Sequence, residues 1–352
     1  MPLRLRKEIQ EMSRSRHRLT TIAFLAVSIA ILFAVSLMVG AVSIPLADIA
    51  HILTGQGEVK ETWRFIILEN RLPQAVTALF AGAALAVSGL LLQTTFRNPL
   101  AGPDIFGISS GASLGVALVM LAMGGQVSVA AATLTGYAAI LSAALAGALA
   151  VTAIIMFFSL RVKNPVMLLI VGIMTGFVVS SVVSLLNFAA TEEGVRSYML
   201  WGLGNFGGVS MRLLPVFVTS TALPLIVVLL MVKPLNALLI GDSYARNLGV
   251  DTRRMRRLVL FLTSVLTAVT TAFCGPIAFI GLAVPHVARL LFATSNHRLL
   301  LPATILLGSA IALLCNVICL LPGSRGIIPL NAVTPLLGAP VIIYIVARGT
   351  RM

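Results

Sequence analysis

The strongest constraint on this chain is the length of its uncharged blocks. Residues 19–47, 72–96, 164–191, 213–232, 299–324 and 326–347 contain no Asp, Glu, Lys or Arg, and residues 105–160 form one charge-free run of 56. About 20 helical residues at 1.5 Å each cross the roughly 30 Å apolar core of a bilayer, so the long run holds enough chain for two crossings. With 59% apolar residues and a mean hydropathy of +1.04, a soluble globular domain is excluded. The chain reads as an all-α membrane protein with many crossings.

Charge fixes the orientation. Residues 1–18 form a basic segment carrying Arg4, Arg6, Lys7, Arg14, Arg16 and Arg18 against Glu8 and Glu11. The apolar run that follows, from Leu19 to about Pro45, is too long for the core of a cleaved signal, so it reads as a retained first span with a cytoplasmic N-terminus. Threading the other blocks alternately puts 19 of the 25 basic residues inside and 6 outside, while the 11 acids divide 5 and 6. That asymmetry satisfies the positive-inside rule, and the basic inner face suits anionic lipid headgroups without any nucleic acid.

One stretch forces an irregularity. The cluster Arg253, Arg254, Arg256, Arg257 and the later Arg289 both belong inside, so the chain must cross and return within residues 258–288. Those 31 residues give about 46 Å of helix against roughly 60 Å for two crossings. At least one span is therefore short or broken, and Gly275-Pro276 is the natural break. Broken backbone at membrane depth has to be covered by protein or line a cavity. The count becomes ten spans in a single domain, residues 19–352, with both termini cytoplasmic and one long inside loop, 233–257.

The spans carry no central carboxylate of the kind ion-driven transporters use, His286 near an inner end being the closest ionisable group. There is no G-x-x-x-x-G-K-[ST] phosphate loop, so energy for uphill transport would come from another polypeptide. Cys274, Cys315 and Cys319 all fall in spans. The i, i+4 pair supplies only two soft ligands, so small-residue packing is expected rather than a metal site. Gly107, Gly111 and Gly115 make a small-residue stripe that admits a close neighbouring helix, from the same chain or from a second copy.

Three segments carry more specific information: Arg71-Leu-Pro-Gln-Ala through Gly82 and Gly89 to Gln93 and Arg97-Asn-Pro-Leu-Ala-Gly-Pro-Asp-Ile-Phe-Gly107; Leu235 to Gly249; and Gly275-Pro-Ile-Ala-Phe-Ile-Gly-Leu-Ala-Val-Pro-His-Val-Ala-Arg-Leu-Leu291. With Trp201-Gly-Leu-Gly-Asn-Phe-Gly-Gly208 and Pro329-Leu-Asn-Ala-Val-Thr-Pro-Leu-Leu-Gly-Ala-Pro340, they resemble the FecCD-type permeases of bacterial ABC importers for iron-siderophores, haem and cobalamin. The resemblance implies ten transmembrane helices in the type II importer architecture and a homodimeric pathway in the inner membrane. It also implies two ATP-binding subunits, which hold the ATP and Mg this chain does not, and an extracytoplasmic binding protein. The chain itself would be a transport subunit without enzymatic activity, cofactor or metal. The alternative class is an ion-coupled transporter of a bulky solute.

Read physically, loop 233–257 is too apolar for a free linker and should form two short helices folded against something. By resemblance it is the ATPase-coupling region, matched at Gly241, Asp242, Ala245, Leu248 and Gly249; otherwise it is an amphipathic loop on the lipid surface. Asn98, Pro99 and Leu100 match one half of the family's cytoplasmic gate, and Pro165 and Val166 stand in the other half, where the sequence departs from relatives with small hydroxylated residues. Asn98 and Pro99 also suit a simple helix start. Arg64, Arg71 and Arg325 are the outward positions for docking the binding protein, although Arg64 and Arg71 could instead pair with Glu58, Glu61 or Glu69. Trp201 to Gly208 reads as a short outer helix, with Tyr198 an interfacial anchor. Gly102–Gly107 and Gly275–Gly281 form a faint echo, as two inverted halves would produce.

Overall fold

A computed structural model describes residues 3–55, 59–122, 136–162, 165–321 and 326–349. Among them there is helix and no strand. The chain opens with α1 (Leu3–Met38) and a short α2 (Leu46–Thr54). Next comes α3 (Glu61–Phe65), which runs through a π-helical turn at Ile66–Arg71 into α4 (Leu72–Phe96). After α5 (Ile108–Ala122), α6 (Gly136–Arg161) and α7 (Pro165–Ala189), a short α8 (Glu192–Gly202) leads to α9 (Leu214–Leu230). Two small helices, α10 (Val232–Ile240) and α11 (Asp242–Asn247), precede α12 (Thr252–Cys274), α13 (Ile280–Phe292), α14 (His297–Leu320) and α15 (Leu330–Gly349).

Six stretches are long and apolar enough to cross a membrane unaided: Arg18–Met38, Glu61–Phe96, Ala138–Arg161, Met167–Ala189, Thr252–Cys274 and His297–Leu320. A seventh is the pair α9 and α10, bent by 61° at Met231. The apolar helices α5, α13 and α15 are shorter. Ten crossings therefore require these three to span as well, with the non-helical chain before them completing the path. Residues 258–288 behave as their length demands: α12 stops at Cys274, Gly275–Phe279 is non-helical, and α13 is only 13 residues, about 20 Å.

The helix α4 is the axis of the fold. Of its most apolar window 83% is buried, against 17% for α1 and for α7, whose exposed Phe24, Phe177 and Phe188 present rings outward. Hydrophobic all round, α4 is enclosed by protein, while α1 and α7 form the rim. Close approach explains the glycines on α4. A Cβ at Gly82 would overlap the carbonyl of Gly308 on α14, and one at Gly89 would overlap that of Gly281 on α13. These crossings are backbone to backbone, as small residues in membrane helices permit.

The Gly107–Gly111–Gly115 stripe resolves in favour of its own chain. Gly111 faces Gly147 and Val151 of α6, Gly115 faces Ala143, and Gly107 lies against Gly172 and Gly176 of α7. The aromatic expectations change. Trp201 closes α8 rather than opening a helix, and a 3-10 turn occupies Phe206–Gly208. Tyr198 stacks on Trp201 at 6.1 Å, and both pack on the core formed by α5, α6 and α12. Its half-buried ring packs on that core.

Candidate functional site

The structure gathers at one end of the bundle Arg97, the end of α6, the 233–257 segment, Arg289 and the start of α14. The two short helices expected in 233–257 are α10 and α11. Gly241 joins them at φ +140° and Gly249 follows α11 at φ +81°, backbone regions that glycine enters without a Cβ penalty. Ala245 is fully buried between Ala237 and Leu238, with Val250 and Met255 beside it. Leu248 is 59% exposed and Gly249 has open space around it, so the outer edge of this turn is free for a partner. The basic cluster from Arg253 belongs to the first turns of α12 rather than to the loop.

Asp242 is the electrostatic centre of the turn. Its carboxylate accepts from Arg256 Nη2 at 3.1 Å and lies 3.7 Å from Arg97 Nη2. Arg97 is the left-handed C-cap of α4 and the residue before Asn98-Pro99-Leu100. One carboxylate thus joins the start of the coupling turn to the candidate gate loop. In that loop Asn98 Oδ1 accepts from the Leu100 amide at 2.9 Å, so Asn98 caps a turn as well as occupying the gate position. Leu100 is exposed and Pro99 passes its carbonyl to His286 Nε2 at 2.7 Å. For the second half of the gate the structure describes backbone only. Pro165 and Val166 form the first turn of α7, and Lys163 and Asn164 lie outside the described residues.

A polar chain that sequence reasoning missed binds the same end together. The His297 ring, fully buried, stands between Thr94 Oγ1 at 2.9 Å from Nε2 and Asn236 Oδ1 at 2.9 Å from Nδ1. Asn236 also accepts from the His297 amide and donates to Asn296. An amide oxygen can only accept, so Nδ1 carries the ring proton and Nε2 accepts from the Thr94 hydroxyl. Nearby, Arg289 donates to Gln93 Oε1 at 2.7 Å while Gln93 Nε2 donates to the Leu282 carbonyl. Together these bonds tie α10, α13 and α14 to the last turns of α4. Of these residues the sequence singles out Gln93, within the Arg71–Gly107 segment, and Arg289, as an inside charge.

At the opposite end Asn331 organises the turns. Its Nδ2 donates to the carbonyls of Gly202 and Pro276, at 2.9 and 2.6 Å, and its Oδ1 accepts from Ala278 N. The break at Gly275–Phe279 is therefore covered by protein, and Asn205 N donates to Cys274 O beside it. Gln74, Asn205 and Asn316 line a cavity of about 290 Å³ with apolar neighbours from α8 and α14.

The three docking candidates separate here. Arg64 is exposed on α3, at the start of the helix that continues into α4. Arg71 is buried, and its guanidinium donates to the carbonyls of Leu37, Met38 and Val42 around the end of α1. Its donors are committed to those helix-end carbonyls, which corrects the expectation of an outward contact at this position. Arg325 lies outside the described residues. The cysteines are buried thiols without disulfides.

Comparison with known proteins places this geometry. A model of the family described as the FecCD transport family matches residues 28–348. The vitamin B12 import system permease protein BtuC of Klebsiella pneumoniae subsp. pneumoniae is 37% identical over 288 residues, 81% of this chain and 83% of that one. The protein of the same name from Salmonella typhi is 34% identical over 300 residues, covering 85% and 87%. Among solved structures, an inward-facing conformation of a transporter assigned to the metal-chelate ABC type superposes with a TM-score of 0.81. It is 29% identical and covers 94% of this chain and 99% of its own.

Proposed function

The chain belongs to the FecCD transport family, and from that premise we propose that it is the membrane-spanning permease subunit of an ATP-driven importer for a metal chelate or cobamide: an iron-siderophore, haem or cobalamin. It works as a homodimer of ten-span subunits in the bacterial inner membrane, with both termini inside. Two ATP-binding subunits engage the α10–α11 turn and supply the energy, with ATP and Mg on those partners. A binding protein outside delivers the cargo, meeting Arg64 and the segment around Arg325.

The observation that carries this reading is the double pairing of Asp242 with Arg256 and Arg97. Force applied to the exposed edge at Leu248–Gly249 passes through the buried Ala245 into α12, and through Asp242 into the loop at Asn98–Leu100. The helices then move as rigid bodies, as domain shifts in transporters do. The FecCD relatives named vitamin B12 permeases favour cobalamin as the first cargo to test. The decisive experiment is uptake into proteoliposomes holding the chain with its co-purified ATPase and binding protein. ATP-dependent accumulation of labelled cobalamin, ferric siderophore or haem that persists with an uncoupler is expected. Accumulation that needs an ion gradient and no nucleotide would establish the ion-coupled class instead.

A further inference from the structure

The basic end holds a second feature beside the coupling turn. A cavity of about 850 Å³ opens between the last turn of α6, at Ser159–Val162, and the facing start of α11 and α12. Five arginines line it, Arg161, Arg246, Arg253, Arg256 and Arg257, against two aspartates. One of those, Asp242, is already shared by Arg97 and Arg256, and the other, Asp251, caps α12 by accepting from the amides of residues 253 and 254. Among the described residues the ion pairs are these two on Asp242, so the guanidiniums of Arg161, Arg253 and Arg257 face the cavity without a salt bridge. At the back wall the Nε of Arg256 is buried and makes no hydrogen bond. Closed off from solvent, that atom belongs to the wall, and the guanidiniums an anion can reach are those of Arg161, Arg253 and Arg257.

The wall contributed by α6 decides what kind of anion fits. Just above Arg161 the helix exposes Leu160 (67%), Phe157 (47%) and Phe158 (36%), and the Arg161 guanidinium lies 4.3 Å from the centre of the Phe157 ring. Cationic pocket and outward apolar face are therefore continuous along a single spanning helix. A free phosphate would use only the first; a phospholipid uses both. Basic pockets between helices on the inner side are suited to anionic headgroups, and arginine forks match phosphate oxygens in two-point hydrogen bonds.

We propose that this crevice binds the phosphodiester headgroup of an anionic phospholipid, whose acyl chains lie along the exposed apolar face of α6. The headgroup fills the cavity between α6 and the coupling segment, so lipid charge sets how firmly the α11–α12 turn is held to the bundle. Binding is independent of which cargo is carried.

Native mass spectrometry of the full chain, released from nanodiscs of equal phosphatidylglycerol and phosphatidylcholine, reads this directly. Retained phosphatidylglycerol on the wild type is expected, with retention weakened about tenfold in R253Q/R257Q and in R161Q, and unchanged in R212Q at the opposite end. All four arginines are exposed, so these variants test charge rather than folding. Equal retention of the two lipids, or no loss in the variants, overturns the proposal. Thermal stabilisation by inorganic phosphate equal to that by dispersed phosphatidylglycerol would assign the site to free phosphate and overturn the lipid assignment. Unchanged lipid retention with lost co-purification of the ATPase would assign the arginines to an acidic face of that partner. Lipid retention is read without transport, so its failure leaves the permease reading standing.

Discussion

The Nε2–H of His286 reaches the carbonyl oxygen of Pro99 across 2.7 Å, fastening the middle of α13 to the turn that leaves α4. Gly89 and Gly281 bring the same two helices into backbone contact a few turns away, so the loop carrying Asn98 and Leu100 is held by α13 as well as by its own helix. Replacing His286 with Leu removes the donor and leaves the carbonyl to find water. Loss of one such bond is worth about 1 kcal/mol, or roughly fivefold in the equilibrium of the loop. The H286L variant should keep its expression level but lose several-fold in ATP-driven uptake, with faster proteolysis near Leu100. Wild-type uptake in H286L would remove the loop from the transport path.

Asp242 answers to a double-mutant cycle. Arg97 is half exposed at 3.7 Å, so its coupling to Asp242 should be small, about 0.2–1 kcal/mol after solvent screening. Arg256, at 3.1 Å and with only 11% of its side chain exposed, should couple more strongly. D242N should leave ATPase association intact but weaken the link between hydrolysis and uptake, raising ATP consumed per cargo moved. A cycle with no coupling at either arginine would show that the turn is held by packing around Ala245 alone.

At the α4 crossings the forecast is steric. G89A puts a methyl group into the Gly281 carbonyl, where only backbone could yield, and overpacking of this kind costs about 1–3 kcal/mol or more. Melting of the purified protein should fall by several degrees, or the variant should fail to accumulate. G202A, on a helix with open space beside it, is the matched control and should melt like wild type.

Arg64 and Arg71 should part company. R71A strips three carbonyl partners at the end of α1 and should lower stability by about 2–4 kcal/mol, with R71K only partly restoring it because an ammonium lacks the planar fork. R64E should leave melting unchanged while weakening association with the binding protein. Both effects can be read by thermal melting and surface-immobilised binding on the same preparations.

The Asp251 cap sets a pH dependence. Hydrogen bonds from the Arg254 and Arg253 amides, with the charges of Arg257 and Arg254, hold this exposed carboxyl below the usual aspartate range, the Arg254 bond contributing most. A folded pKa below the unfolded one means the stabilisation is complete above the ordinary aspartate pKa. It is lost as pH falls through the lower folded value. D251A should therefore lower the melting temperature at pH 7 through loss of the N-cap, and the gap to wild type should close in acid.

Hydropathy and charge made the spans legible because both report directly on partition between lipid and water. A break within residues 258–288 was legible from chain length, since 31 residues cannot cross twice as regular helix, and its position from the Gly275-Pro276 pair. The two short helices of 233–257 followed from apolar residues that had to be packed. Pairings across the bundle were not legible. Nothing local in the sequence says that Asn331 bridges Gly202 and Pro276, or that His297 sits between Thr94 and Asn236, because those partners are separated by 55 to 203 residues. Arg71 shows the same limit: its identity suggested an outward charge, while its place at the end of another helix gave it buried acceptors.

The π-helical turn at Ile66–Arg71 has a mechanical corollary. It inserts a widened coil into a helix that otherwise runs unbroken from Glu61 to Phe96, and its last residue is the arginine that grips the end of α1. A push on α3 meets this coil before it reaches α4. If the binding protein docks on α3 as proposed, its push reaches the central shaft only through this coil.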